Sequence, residues 1–215
     1  IFPTSFLGGS TTAITGKDYL RTEDGQVIVG EDGYPKINPT KSALIGNREP
    51  IFQASISTTF SYKNLRISAL FDGRLGGDVA NVTARSLWSS GMHKSLEQYR
   101  GRQVVWDGVV DNGDGTYSPN TTPIVLDYST LTNYYSAVSS NFIEDGSYIS
   151  LRHLTISYDF TSLVNKRSPI TALSVSVTGT DLFMLTKYTG SNPMINASSD
   201  SGGTGSGGID NFAVP

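Results

Sequence analysis

Two histidines, His93 and His153, supply all the imidazole in this 215-residue chain, and cysteine is absent. That inventory removes disulfide staples, thiolate metal sites and thiol nucleophiles together. No Gly-x-Ser-x-Gly elbow is present, and His153 falls on the polar side of an alternating segment. Nothing therefore directs a Ser–His–Asp arrangement, and neither catalytic chemistry nor a cofactor or metal site is expected. Gly203-x-Gly205-x-x-Gly208 has the spacing of a dinucleotide-binding turn, but it lies in a Gly/Ser-rich stretch with no strand before it and no helix after it. Asp111-Asn112-Gly113-Asp114-Gly115 lacks the alternating ligands and distal Glu of a calcium loop, and its Asn-Gly and Asp-Gly pairs predict a turn. Asn81-Val82-Thr83, Asn120-Thr121-Thr122 and Asn196-Ala197-Ser198 fit a glycosylation pattern short enough to arise by chance.

The remaining candidates are binding residues. Arg66, Asp72 and Arg74 share the polar side of one alternating segment, where two guanidinium groups near a carboxylate could hold a polar ligand or a neighbouring domain. The stretch from Gly76 to about Asp145 holds both tryptophans, Trp88 and Trp106, together with Tyr99, Arg100 and Arg102. Aromatic and arginine side chains on a long loop suit contact with a partner or substrate, though they could equally fold the loop onto itself.

These residues hang on a β framework. From Phe52 to Tyr62, Phe52, Ala54, Ile56, Thr58, Phe60 and Tyr62 alternate with Gln53, Ser55, Ser57, Thr59 and Ser61. Such period-2 alternation predicts a strand with one apolar and one polar face. After a Lys63-Asn64 turn, Leu65, Ile67, Ala69 and Phe71 continue the apolar face. Tyr148 to Phe160 and Leu173 to about Phe183 repeat the pattern, with Leu154, Ile156, Tyr158 and Phe160 on one side of the third strand. All four strands are about as long as a tilted strand needs to be to cross a bilayer.

The connections are lopsided, with two short turns at one end of the sheet and a segment of about 70 residues at the other, the sidedness of an outer-membrane barrel. Phe60 and Tyr62, and likewise Tyr158 and Phe160, fall at the short-turn end, as a lipid-facing girdle would. A soluble β-sandwich shares the alternation but would bury these four side chains. The formal charge of −3 gives no basic patch for nucleic acid. No apolar run is long enough for a transmembrane helix. The N-terminus Ile1-Phe2-Pro3-Thr4 has no signal-peptide pattern, so the chain reads as part of something longer.

A set of motifs in order resembles the C-terminal region of SusC/RagA-type TonB-dependent transporters of Bacteroidota. They are Asp24-Gly25-Gln26-Val27-Ile28-Val29 with Asp32-Gly33-Tyr34-Pro35, Ile45-Gly46-Asn47, Phe60-Ser61-Tyr62-Lys63, and Phe71-Asp72-Gly73-Arg74-Leu75-Gly76-Gly77. Gly146-Ser147-Tyr148-Ile149-Ser150-Leu151-Arg152, Gly179-Thr180-Asp181-Leu182-Phe183 and Thr186-Lys187-Tyr188 follow. The chain departs from the family at Arg48-Glu49, where Asn-Pro is usual, and at Asp181, where Asn is usual.

The resemblance implies an all-β fold, in which residues 1–215 supply an arc of antiparallel strands to a 22-stranded transmembrane barrel. Residues 1–50 and 76–147 would be mostly extracellular loop, and the plug, the earlier strands and the final strand would lie outside this chain. It further implies an outer-membrane importer, energised through TonB by a missing N-terminal region and covered by a SusD-like lipoprotein. Its substrates would be oligosaccharides or peptides, and its other contacts would be membrane lipid, the plug and the rest of the barrel. The competing expectation is an autonomous soluble β-sandwich for carbohydrate binding or adhesion.

Overall fold

The computed structural model describes residues 1–4, 10–40, 43–98, 101–164, 169–194 and 208–211. The chain divides into two compact units. The first comprises Ile1–Glu49, Asp78–Asp145 and Thr189–Pro215, and the second Pro50–Gly77 and Gly146–Tyr188.

The second unit is one four-stranded antiparallel sheet. Its strands are β1 (Phe52–Tyr62), β2 (Leu65–Leu75), β3 (Tyr148–Asp159) and β4 (Ser174–Thr186), in the spatial order β4-β3-β2-β1. β2 and β3 pair along their length although more than 70 residues of chain separate them. The β1–β2 turn and the β3–β4 connection lie at the same end, because Tyr62 pairs with Leu65, Leu65 with Tyr158, and Tyr158 with Val175. Lys63 closes the tight turn in the left-handed region at φ 50°. The Asn64 amide side chain ties that turn to the end of β3 through the Asp159 carbonyl at 2.9 Å.

One side of this sheet is apolar and open. Ile56, Phe60, Tyr62, Ile156, Tyr158, Val175 and Val177 are all exposed, Phe60 and Tyr62 each at 60%. Phe160 is half-buried and packs its ring 4.6 Å from that of Tyr158. The other side is rich in hydroxyls, with ladders such as Thr59 to Ser68 at 3.2 Å and Thr155 to Thr178 at 3.0 Å. A sandwich core would bury the apolar face; this unit leaves it uncovered.

Alternation along β3 is not continuous, contrary to a single-parity reading of Tyr148 to Phe160. The register slips between Leu151 and His153, leaving Arg152 as an extra residue against β2. One added residue exchanges the faces, so Ile149 and Leu151 join Leu154 and Ile156 on the apolar side while Tyr148 and Ser150 turn to the polar side. Opposite the bulge, β4 inserts two residues, Asp181 and Leu182, which preserves its own parity. Asp181 sits at φ 48°, a conformation that Asn and Asp tolerate best among non-glycine residues. Its carboxylate pairs with the Arg152 guanidinium at 3.2 Å.

The first unit has secondary structure and a core of its own. Phe2–Thr4, Ala13–Gly16 and Ala43–Asn47 form one small sheet, and Ile28–Val29, Val109–Asp111 and Tyr117–Pro119 another. Gln103–Val105 pairs with Pro123–Val125, and Asp78–Asn81 lies between Ile143–Asp145 and Ile209–Asp210. Helix α1 (Val82–Ser89) starts where the buried Asn81 side chain accepts the Ala84 amide at 2.8 Å, satisfying one orphan donor of the first turn. Leu96, Leu126 and Leu131 form a buried cluster flanked by Trp88, Val104 and Trp106. The Asp111–Gly115 segment is a turn, with Asp111 accepting the Gly113 amide and Asp114 the Thr116 amide, both at 2.9 Å. Among the described residues no His/Cys/Asp/Glu group could hold a metal ion. Gly203, Gly205 and Asn196 lie outside the described residues.

Candidate functional site

At the end of the sheet away from the short turns, the Phe71–Gly77 and Gly146–Arg152 segments meet. The Asp72 carboxylate accepts the Ser55 hydroxyl at 2.9 Å with one oxygen and the Tyr148 phenol at 3.0 Å with the other. Arg74 donates from Nε to the Gly76 carbonyl at 3.1 Å, and the Gly76 amide donates to the Ser147 hydroxyl at 2.8 Å. Gly76 holds φ at 74°, and a Cβ there would come within 3.0 Å of the Ile51 side chain, so this corner takes glycine without strain. Ser150, the register partner of Asp72, is 1% exposed, and its hydroxyl has no hydrogen-bond partner among the described residues.

Of the three charged residues picked out on the polar face, the structure brings together two. Asp72 and Arg74 share the cluster, whereas Arg66 pairs across to Ser61 and Ser157 at the short-turn end. Six residues of strand, about 20 Å, separate Arg66 from Asp72. Tyr148 belongs to the cluster but escapes a reading by alternation, because the Arg152 bulge decides which way it faces. This arrangement offers hydroxyl, carboxylate and guanidinium groups on a polar wall without a nucleophile–base pair. It can bind and orient a polar ligand or an adjoining domain.

Phe60, Tyr62, Tyr158 and Phe160 lie toward the short-turn end of the sheet. The Lys63 ammonium lies 5.4 Å from the centre of the Tyr62 ring. At the opposite end, Ala54 and Gly73 leave a notch of about 310 Å³ in the apolar face between Phe52, Ile56, Phe71 and Ile149.

The tryptophans of the first unit are engaged within it. Trp88 lies 4.3 Å from Tyr135 and 5.2 Å from His93, ring to ring, and Trp106 makes an edge contact with Tyr19 at 5.8 Å. These contacts and the leucine cluster give both residues a packing role. Arg102 is exposed and lines an open charged hollow with His93, Lys94 and Glu97, while Tyr99 lies outside the described residues.

Tyr19 anchors this unit. It is buried, donates its hydroxyl to the Tyr134 carbonyl at 2.8 Å and accepts from the Asn141 amide at 2.7 Å. Burial pushes its phenol well above the ordinary range, against a smaller opposing effect from the Asn141 bond. Beside it, burial acts to raise the Asp18 carboxyl. Hydrogen bonds from Ser140, Arg21 and the Tyr19 amide, with the Arg21 charge, outweigh that and hold it below its usual value.

No protein-family profile matches the chain. Among curated proteins it is 23% identical over 176 residues to TonB-dependent receptor P3 of Formosa agariphila, covering 82% of this chain and 16% of that protein. It is 28% identical over 158 residues to TonB-dependent receptor P39 of the same organism, covering 70% and 14% respectively. The chain therefore spans only a small part of the curated relatives it matches. Its fold is similar to two structures of the RagAB peptide importer, at 16% identity in both cases. The closed-closed state gives a TM-score of 0.53 over 94% of this chain and 21% of that one, and the open-open state 0.52 over 92% and 20%. Motif order, the receptor relatives and the shared fold agree in making this chain similar to a segment of a SusC/RagA-like TonB-dependent receptor.

Proposed function

We propose that the chain contributes part of the wall and part of the extracellular surface of an outer-membrane β-barrel importer. The observation that carries this reading is the sheet of the second unit. Its strands of 11 to 13 residues bear an uncovered apolar face and a hydroxyl-rich face, with both short connections at one end. Strands of about 9–11 residues suffice to cross a bilayer, and an outward apolar band with aromatic residues near the interface is what lipid contact demands. The edges β1 and β4 would continue into the remaining barrel strands, since unpaired edges are not tolerated in hydrocarbon.

In this reading Asp72, Arg74 and Arg66 line the lumen and meet the plug or the passing solute. Residues 1–50 and 76–147 form the extracellular side, where a SusD-like lipoprotein covers the entrance and meets the exposed Arg102, with Tyr99 as a second candidate contact in the same segment. Trp88 and Trp106 would act there by holding the loop in shape. The cargo is an oligomer released from a polymer, an oligosaccharide or a peptide, and a TonB complex drives uptake through a region outside this chain. The named relatives are receptors and an importer, which supports movement of solute without bond chemistry. Against the soluble sandwich stands the open apolar face, which in water would be a large aggregation-prone patch.

The test is uptake of labelled oligosaccharides and peptides by cells carrying or lacking the receptor. Accumulation that needs both the receptor and an active TonB supports the proposal, and accumulation independent of the receptor refutes it.

A further inference from the structure

The first unit carries an open groove of about 890 Å³ whose use nothing in the barrel wall explains. Buried Val29 and Pro35 lie at its base. Tyr34 and Tyr134, a hundred residues apart in sequence, stack in it with ring centres 4.5 Å apart and planes inclined by 26°. Both are held from behind by their backbones. The Tyr34 amide donates to Asp32 at 3.2 Å and its carbonyl accepts the Gly30 amide at 2.8 Å, while the Tyr134 carbonyl accepts the Tyr19 hydroxyl at 2.8 Å. An aromatic platform fixed in this way loses little freedom when a ligand lands on it.

The rim is polar and available. Glu31, Asp32, Lys36 and Asp111 are exposed. Asp32 and Asp111 each use one carboxylate oxygen on a backbone amide, of Tyr34 at 3.2 Å and Gly113 at 2.9 Å. Among the described residues their second oxygens, and the side chains of Glu31 and Lys36, form no hydrogen bond. A sugar ring complements such a surface. Its apolar C–H face fits the outer face of the stacked pair, its hydroxyls can donate to the carboxylates, and Lys36 can donate to a hydroxyl or ring oxygen. A cationic peptide would meet the same acids, but exposed ion pairs contribute little and Lys36 would repel it.

We propose that this groove is a binding subsite for neutral oligosaccharides, with Tyr34 and Tyr134 as the platform and Glu31, Asp32, Asp111 and Lys36 as the hydrogen-bonding rim. It rests on the importer reading for its purpose, the capture of cargo, but not for the binding itself.

The test uses the purified full-length receptor on an array of short neutral oligosaccharides, with calorimetry on the best binder and trilysine as competitor. Tyr34→Ala weakens binding by about fivefold to tenfold, Tyr34→Phe retains it, and the rim pair Glu31→Gln with Lys36→Met weakens it without touching the platform. The subsite is overturned if no array member binds, if binding survives both Tyr34→Ala and the rim pair, or if trilysine is the better ligand. The two readings fail separately. Binding that depends on Tyr34, in cells whose uptake ignores TonB, refutes the importer and leaves the subsite. TonB-dependent uptake with binding indifferent to Tyr34 does the reverse.

Discussion

Ile56→Arg separates a lipid-facing wall from a water-facing sheet by the size of its effect. Ile56 is 65% exposed and lies mid-strand on β1, its register partner being Phe71, which in turn pairs with Leu151 on β3. Because no side chain covers it, an arginine there creates no cavity and no clash. In water such a surface change falls within about 0.5 kcal/mol of neutral. At the midplane of a bilayer the same change costs about 2–4 kcal/mol, a fall of about 30-fold to 700-fold in the folding equilibrium. The control is Ser57→Arg, one residue along and on the hydroxyl-rich face opposite Leu70, where the barrel reading places the aqueous lumen. The assay is folding of the receptor into lipid vesicles across a urea series, with the folded fraction read from unheated gels. Equal effects of Ile56→Arg and Ser57→Arg, or a negligible effect of the former, would refute the assignment of faces.

Other consequences follow from single contacts. Arg152→Ala loses one exposed ion pair, worth at most about 1 kcal/mol, whereas deleting Arg152 removes the bulge and drives Tyr148 and Ser150 toward the apolar face, so the deletion should abolish insertion in the same vesicle assay. Tyr19→Phe should cost the first unit about 1–2 kcal/mol, seen as faster amide exchange around Tyr134 and Asn141. Because burial raises the Tyr19 phenol in the folded state, its contribution is complete below the ordinary tyrosine value of about 10 and declines as pH rises above it, so the gap between Tyr19→Phe and the parent narrows in alkali. Asp18 acts in the opposite direction: its lowered carboxyl contributes above the ordinary value of about 4 and is lost as the solution is acidified through the folded value. Trp88→Ala should destabilise the first unit by about 3 kcal/mol, and its exchange protection around Leu96 and Leu131 should fall.

The four long strands were legible because each keeps a period of two for long enough to outweigh chance, and the two-residue turn at Lys63-Asn64 fixes its neighbours without ambiguity. The bulge was not. Arg152 is acceptable on either face of a strand by its residue type, so only pairing with β2 and β4 reveals that the parity changes there. The same limit hid Tyr148 from the Asp72 cluster, whereas the distance of Arg66 from that cluster follows from its six-residue spacing along β2. Among the described residues of the first unit no strand exceeds five residues, too short for periodicity to register, and its core joins Trp88 to Leu126 and Leu131 across the sequence. Trp88 and Trp106, the tryptophans of that segment, pack within the unit. The Tyr34–Tyr134 pair left no local trace at all, because its partners come from a hairpin and a helical turn a hundred residues apart.

The most direct measurement of the central claim is sidedness in living cells. This chain contributes no cysteine, so single cysteines placed at Asp114, in the exposed turn, and at Leu163, 75% exposed in the β3–β4 connection, are read as labelling above that of the parent receptor. A membrane-impermeant maleimide should label Asp114→Cys on intact cells and Leu163→Cys only after the outer membrane is opened. Labelling of both on intact cells, or of Leu163→Cys alone, would contradict a barrel wall with its short connections in the periplasm.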